Sequence, residues 1–135
     1  MQRPHPPHIY AKRLGLKDKV RRIIEDGECY LDPNFSIHHL ARELGTNRSY
    51  TSSLFKKEFG KTFSNFINSY RIKRAEQLLR KNTMPLGEIW RNVGFGSSLT
   101  YRRAFALKHN MTPGQYRELY ATKGKHPNIS KPLLS

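Results

Sequence analysis

One apolar pattern occurs twice in this chain. Ile37, Leu40, Ala41, Leu44 and Gly45 recur as Leu86, Ile89, Trp90, Val93 and Gly94, every position shifted by 49, and Phe55 recurs as Phe105, shifted by 50. Spacings of three and four residues put the apolar members on one helix face, and glycine takes the backbone conformation that ends one helix and turns sharply into the next. Each copy reads as a short amphipathic helix, a glycine turn and a second helix that buries a Phe. That is a helix-turn-helix, in which the first helix braces the second and the second keeps a solvated face of a size that enters a major groove. One such turn is common in any helical bundle, but two copies on one chain constrain the fold much further.

The remaining apolar spacing is also helical, with no sustained alternation that would argue a strand, so the fold class is all-α. Residues 17–27 carry Val20, Ile23 and Ile24 on one side and stop at Gly27, after which Pro33 and Asn34 break the chain. Ser36 is an N-cap for the first repeated helix, and Asn47 or Ser49 caps the next, which buries Thr51, Leu54 and Phe55 and ends near Phe59 and Gly60. The longest helix runs over 62–81, about 30 Å at 1.5 Å per residue, with Phe63, Phe66, Ile67, Tyr70, Ala75, Leu78 and Leu79 inward. The expected organisation is a disordered basic tail over 1–16, a first helix-turn-helix subdomain over 17–61, a linker helix over 62–81, a second subdomain over 82–121 and a disordered tail over 122–135.

At 135 residues the chain is too short for a large multidomain enzyme. Its 25 Lys and Arg against 10 Asp and Glu leave a charge of +15, and from 44 to 121 the balance is 14 basic to four acidic, so polyanions are its natural partners. The single cysteine, Cys29, closes no internal disulfide and has no defensible catalytic partner; nucleophile elbow, Walker loop and dinucleotide fingerprint are all missing. His5 with His8 and His38 with His39 lack a third metal ligand, and adjacent helical residues point about 100° apart. Neither metal, cofactor nor catalysis is expected. No apolar run approaches the roughly 18 residues of a membrane span and MQRPHPPH has no apolar export signal, which points to the cytoplasm.

From Phe35 to Tyr120 the chain resembles the DNA-binding domain of the AraC/XylS family of bacterial transcription regulators. The parallels are IHHLARELG, SYTSSLFKKEFGKTFSNFI and YRIKRAEQLL in the first half, then VGF, RRAF and MTPGQYR, with Gly94, Phe95, Phe105, Thr112, Pro113, Tyr116 and Arg117 the most diagnostic set. The resemblance implies seven helices, forming two helix-turn-helix subdomains joined by the long linker helix. In such proteins each subdomain's second helix enters one of two successive major grooves, which lie about 34 Å apart.

Burying Thr51, Leu54 and Phe55 leaves Ser49, Tyr50, Ser52, Ser53, Lys56 and Lys57 outward. Of these, Ser49, Ser52 and Ser53 match the family's base-reading positions, although the family usually has Arg where Ser53 stands, and hydroxyls make single, permissive hydrogen bonds. In the second reading helix, Tyr101, Ala104 and Phe105 turn inward and Ser98, Leu99, Arg102 and Arg103 share the outer face. Arg103 matches the family's common Arg and suits bidentate contact with guanine; Leu99, where the family is usually polar, suits a thymine methyl or no contact at all, and Arg102 either reads a base or only neutralises phosphate. Phosphate contacts are expected at the helix starts Ser36, Asn47, Thr62, Ser97 and Thr112 and at Tyr50, Lys56, Lys57, Lys61 and Arg71, about seven phosphates in all, giving a log–log salt slope near −6. The competing reading of Arg71 is a structural pairing with Glu76, Glu58 or a helix end. Trp90 stands where the family has Ala and must enlarge the core between this unit's first two helices or tilt them, and Gly87 weakens the helix, so the second unit is expected to be less rigid than usual.

The expected function is sequence-specific binding of double-stranded DNA by a transcription regulator that contacts RNA polymerase as an activator or displaces it. It acts as a monomer as given, or within a dimer if the chain is the output piece of a longer sensor. The reading from another class is a non-sequence-specific polyanion binder using the same basic face on nucleic acid or an acidic membrane.

Overall fold

The structure, a computed structural model, describes residues 5–122, with side chains described from residue 15 onward. Within these residues it holds seven α-helices and no strand: α1 (His5–Asp26), α2 (Ile37–Leu44), α3 (Arg48–Leu54), α4 (Phe63–Lys81), α5 (Ile89–Asn92), α6 (Ser98–His109) and α7 (Pro113–Tyr120). A wider π turn, Phe55–Phe59, extends α3, and single 3-10 turns stand at Cys29–Leu31 and Leu86–Glu88. The chain divides into two units, Met1–Cys29 with Phe35–Phe66, and Tyr30–Asn34 with Ile67–Ser135. The long helix α4 is therefore shared, its first turn belonging to the first unit and the rest to the second.

In the first unit Val20, Ile24, Leu40, Ala41, Thr51, Leu54, Phe55 and Phe66 are buried. The second is built on a cluster of Ile72, Ala75, Leu79, Ile89, Val93, Phe95, Tyr101, Phe105 and Tyr116. Both copies of the turn close in the same way. Gly45 has φ +73 and Gly94 φ +97. Gly45 N–H donates to Arg42 O (3.1 Å) and Thr46 N–H to Ala41 O (2.9 Å), while 49 residues on Gly94 N–H donates to Arg91 O (3.3 Å) and Phe95 N–H to Trp90 O (3.0 Å). These bonds satisfy carbonyls that a helix end otherwise leaves unpaired.

The repeat continues well past the turn. Gly60 and Asn110 are both left-handed, at φ +70 and +54, so Asn110 fills the glycine-like position as its short polar side chain allows. Thr62 and Thr112 then each cap a helix, accepting from Asn65 N–H and Gln115 N–H at 3.1 Å. Three rings follow the same shift of 50: Phe55, Phe59 and Phe66 have centroids 5.1, 5.1 and 4.5 Å apart, and Phe105, His109 and Tyr116 lie 4.6, 5.4 and 4.9 Å apart.

Two elements depart from expectation. The segment 1–16, expected as a tail, is helical from His5, and α1 is a single 22-residue helix. Proline is tolerated in a first helical turn, where its missing N–H and fixed φ do no harm, so Pro6 and Pro7 start the helix instead of preventing it. The other tail lies outside the described residues from 123 on, as do the side chains of His5 and His8. The second departure is α5, four residues long where its counterpart α2 has eight. Pro85 and Gly87 disfavour an α-helix, and the 3-10 turn Leu86–Glu88 replaces its first turn. Trp90 packs, partly buried, against the second cluster, with the Arg91 guanidinium 5.3 Å from its ring centroid.

Glu76 links α4 to the end of α6. Its carboxylate accepts from Lys108 Nζ at 2.6 Å and lies 2.7 Å from His109 Nε2. Burial alone would raise its pKa, but the hydrogen bonds and electrostatic attraction of Lys108 and His109 outweigh it and hold Glu76 below the ordinary carboxylate value. Because the folded value is depressed, the stabilisation is present at neutral pH and disappears as pH falls through and below the ordinary carboxylate range. Glu76→Gln is expected to destabilise the second unit by about 1–3 kcal/mol at pH 7, and melting curves recorded down the pH scale should show this difference from the parent protein closing in acid.

Candidate nucleic-acid interface

Each reading helix is set by its cap and by what it buries. In α3, Asn47 Oδ1 accepts from Tyr50 N–H at 2.8 Å, and the fully buried Thr51 returns its hydroxyl to Asn47 O at 2.9 Å. With Thr51, Leu54 and Phe55 inward, Ser49, Tyr50, Ser53, Lys56 and Lys57 are exposed and Ser52 is half-buried. In α6, Ser97 Oγ accepts from Thr100 N–H at 3.1 Å, and Tyr101 and Phe105 are buried. Burial pushes the Tyr101 hydroxyl above its ordinary pKa, with nearby Arg117 opposing it. Leu99, Arg102 and Arg103 are exposed on the outer side of α6 and Ser98 is half-buried there.

The two arginines differ. Arg102 Nη1 donates to Ser98 Oγ at 2.7 Å, which holds its guanidinium along the helix. Arg103 makes no hydrogen bond or ion pair among the described residues, so both edges of its fork are open. Leu99 is 48% exposed, an apolar group on an otherwise polar reading face.

The helix starts expected at Ser36, Asn47, Thr62, Ser97 and Thr112 are all present, since each residue directly precedes a helix. At α2 the cap is shared: His39 Nδ1 accepts from Ser36 N–H at 3.1 Å, which gives that histidine a structural role. Among the described residues no group of His, Cys, Asp and Glu could hold a metal ion. Thr112 N–H is likewise taken, by Gln115 Oε1 at 2.8 Å. The amides left without an intrahelical partner are therefore those of the first residues of α2, α3, α4 and α6, since α7 opens on Pro113, which has no N–H. Lys61 and Thr62 are exposed ahead of α4.

Arg71 does not join this set. It is buried in the second unit, where Nε donates to Tyr30 O at 2.6 Å and Nη2 to Asp32 O at 3.1 Å, and its guanidinium lies 5.7 Å from the Phe95 ring centroid. Burial lowers its pKa, with Asp32 countering in part. A guanidinium whose fork is spent on two internal carbonyls is withdrawn from the phosphate contacts, and its partners are neither Glu76 nor Glu58. Arg117 is a second buried arginine, donating to Leu79 O and Leu78 O, both at 3.4 Å, at the end of α4, and burial lowers it too. A basic residue outside the expected set is Arg48, exposed in the first turn of α3. The shift of 50 that pairs Ser53 with Arg103 also pairs Arg48 with Ser98 and is the signal that finds it.

A family model described as a helix-turn-helix domain matches residues 40–119. The chain is 33% identical over 108 residues to YtdP, an uncharacterized HTH-type transcriptional regulator of Bacillus subtilis, over 80% of this chain and 14% of that protein. It is 29% identical to the Msm operon regulatory protein of Streptococcus mutans, over 82% of this chain and 40% of that one. The chain thus spans less than half the length of these curated relatives. Among solved structures, the C-terminal domain of the two-component response regulator yesN from Fusobacterium nucleatum matches with a TM-score of 0.69 and 31% identity, over 76% of this chain and 98% of that domain. A transcriptional regulator from Chromobacterium violaceum, described among AraC-type DNA-binding domain-containing proteins, matches with 0.68 and 25% identity, over 82% and 99%. With its paired turns, capped reading helices and this agreement over most of its length, the chain belongs to the AraC-type helix-turn-helix family of DNA-binding regulators.

Proposed function

We propose that this chain is the sequence-specific, double-stranded DNA-reading part of a bacterial transcription regulator, with α3 and α6 each entering one of two successive major grooves. The supporting observation is that the same helix position, shifted by 50, keeps a solvated outer face in both units once the Thr51–Leu54–Phe55 and Tyr101–Phe105 sides are buried. Ser49, Ser52 and Ser53 read permissively, and Ser98, Leu99, Arg102 and Arg103 carry most of the discrimination. Arg48, Tyr50, Lys56, Lys57, Lys61 and the amides following Ser36, Asn47, Thr62 and Ser97, with Gly114 N–H after Thr112 and Pro113, hold phosphates and fix the register. The protein works in the cytoplasm, without catalysis, by contacting or displacing RNA polymerase. The unit reads DNA as a monomer, or within a dimer if it is part of a longer chain.

Selection of bound duplexes from a random pool, followed by competition, tests this reading. One recovered sequence should outcompete bulk DNA by at least about 10³ at physiological salt, and its length should cover two groove segments. Equal binding to all duplexes would replace sequence reading by general polyanion binding. With Arg71 withdrawn and Arg48 added, about seven phosphates are held, so log affinity should fall with log salt at a slope near −6. A titration slope shallower than about −2 would be incompatible with this phosphate set.

A further inference from the structure

The segment between α1 and α2 belongs to the second unit although the chain on both sides of it belongs to the first. Five residues, Tyr30–Asn34, leave the first unit, pack in the second, and return in time for Ser36 to cap α2. They are held there firmly. Tyr30 is buried with its ring 5.6 Å from that of Tyr70, and Leu31 packs against the second cluster. Arg71 bonds the carbonyls of Tyr30 and Asp32, and Asn34 N–H bonds Asp32 Oδ1 at 2.8 Å, shaping the return. Gly94 leaves room for the strap, because a Cβ there would collide with Tyr30 O and crowd Leu31 C.

We propose that the strap 30–34, clasped by Arg71, is a second covalent tether between the two reading units, and that Arg71 is a positioning residue for DNA recognition without touching DNA. This rests on the two-groove reading above. With α4 as the only connection, the second unit would search a wide range of orientations after the first has bound. A strap anchored in the second unit, only one residue from the cap of α2, removes much of that freedom and raises the effective concentration of one unit at its groove when the other is docked. The clasp lies outside the matched family region at its strap and inside it at Arg71 and Gly94.

Two variants separate coupling from stability. In Arg71→Lys an ammonium replaces the fork and can no longer hold both carbonyls as the guanidinium does. In the other variant Gly-Ser-Gly is inserted on both sides of the strap, between Gly27 and Glu28 and between Asn34 and Phe35, leaving every clasp contact intact but adding up to about 10 Å of slack at each end. Affinity is measured for the selected duplex and for the same duplex with either groove segment scrambled. Both variants should lose about tenfold on the intact duplex, with single-segment binding unchanged and, for the insertion, the melting temperature preserved. If the insertion retains the full advantage of the intact duplex, the clasp is purely structural and the proposal is overturned. If the parent protein itself gains nothing from the second segment, the two-groove reading fails first and takes the clasp's role with it.

Discussion

Gly94→Ala is expected to be the most destabilising single substitution in the second unit. The backbone at Gly94 has φ +97, a conformation that costs a residue with a Cβ about 1–2 kcal/mol. The new Cβ would also meet Tyr30 O, Leu31 C and Arg71 Nε, two of them backbone atoms that cannot rotate away, and forced overpacking of this kind adds about 1–3 kcal/mol. The sum, about 2–5 kcal/mol, is a large fraction of the 5–15 kcal/mol that typically separates a folded domain from its unfolded chain. Its partner in the repeat provides the control. Gly45 has φ +73 but nothing within 4 Å of a Cβ, so Gly45→Ala carries only the conformational cost. Fluorescence of the single tryptophan, Trp90, follows the second unit directly. Gly94→Ala should lower the midpoint by more than about 10 °C, and Gly45→Ala, followed by circular dichroism, by about half that or less. Equal shifts in the two variants would mean that the strap does not press on Gly94.

The helix-turn-helix pairs were legible because glycine turns and spaced apolar residues act locally. The caps at Asn47, Ser97 and Thr112 were legible for the same reason, each being a side chain bonded within one turn. What escaped the sequence depends on long-range partners. Arg71 looks like any basic residue on a long helix, and only the folded chain brings Tyr30 and Asp32, 41 and 39 residues away, against it. The burial of Glu76 is hidden for the same reason, since Lys108 and His109 arrive from 32 and 33 residues on. The aromatic triad Phe105, His109 and Tyr116 was missed as a repeat because a histidine and a tyrosine stand where the first copy has two phenylalanines, so identity is lost while ring shape is kept. The helical start at His5 was masked by prolines, which act as breakers within a helix and are harmless in its first turn. The candidate reading positions came from helix faces and from the family resemblance together, and burial leaves all seven of them exposed or half-buried.

Arg103→Ala should produce the largest loss of sequence preference of any substitution on the reading faces. A guanidinium open on both edges can donate to guanine O6 and N7 together, and that bidentate pair is worth about 1–3 kcal/mol of discrimination, roughly 5- to 150-fold. Affinity for the selected duplex should fall by that factor, and one base position should lose its preference while bulk DNA is bound nearly as before. Arg103→Lys sharpens the test: it keeps the charge but not the planar fork, so the salt slope should stay unchanged while the preference still falls. Ser53→Ala, at the equivalent position of the first unit, removes at most one permissive hydrogen bond and should change affinity only a few-fold. The converse, Ser53→Arg, should create a new preference in the first groove segment, because the helix face there is already solvated and lacks only the fork. A uniform loss across all duplexes in Arg103→Ala, with the salt slope shallower by about one, would instead identify Arg103 as a phosphate contact and move direct reading to Arg102, whose guanidinium Ser98 already holds in place.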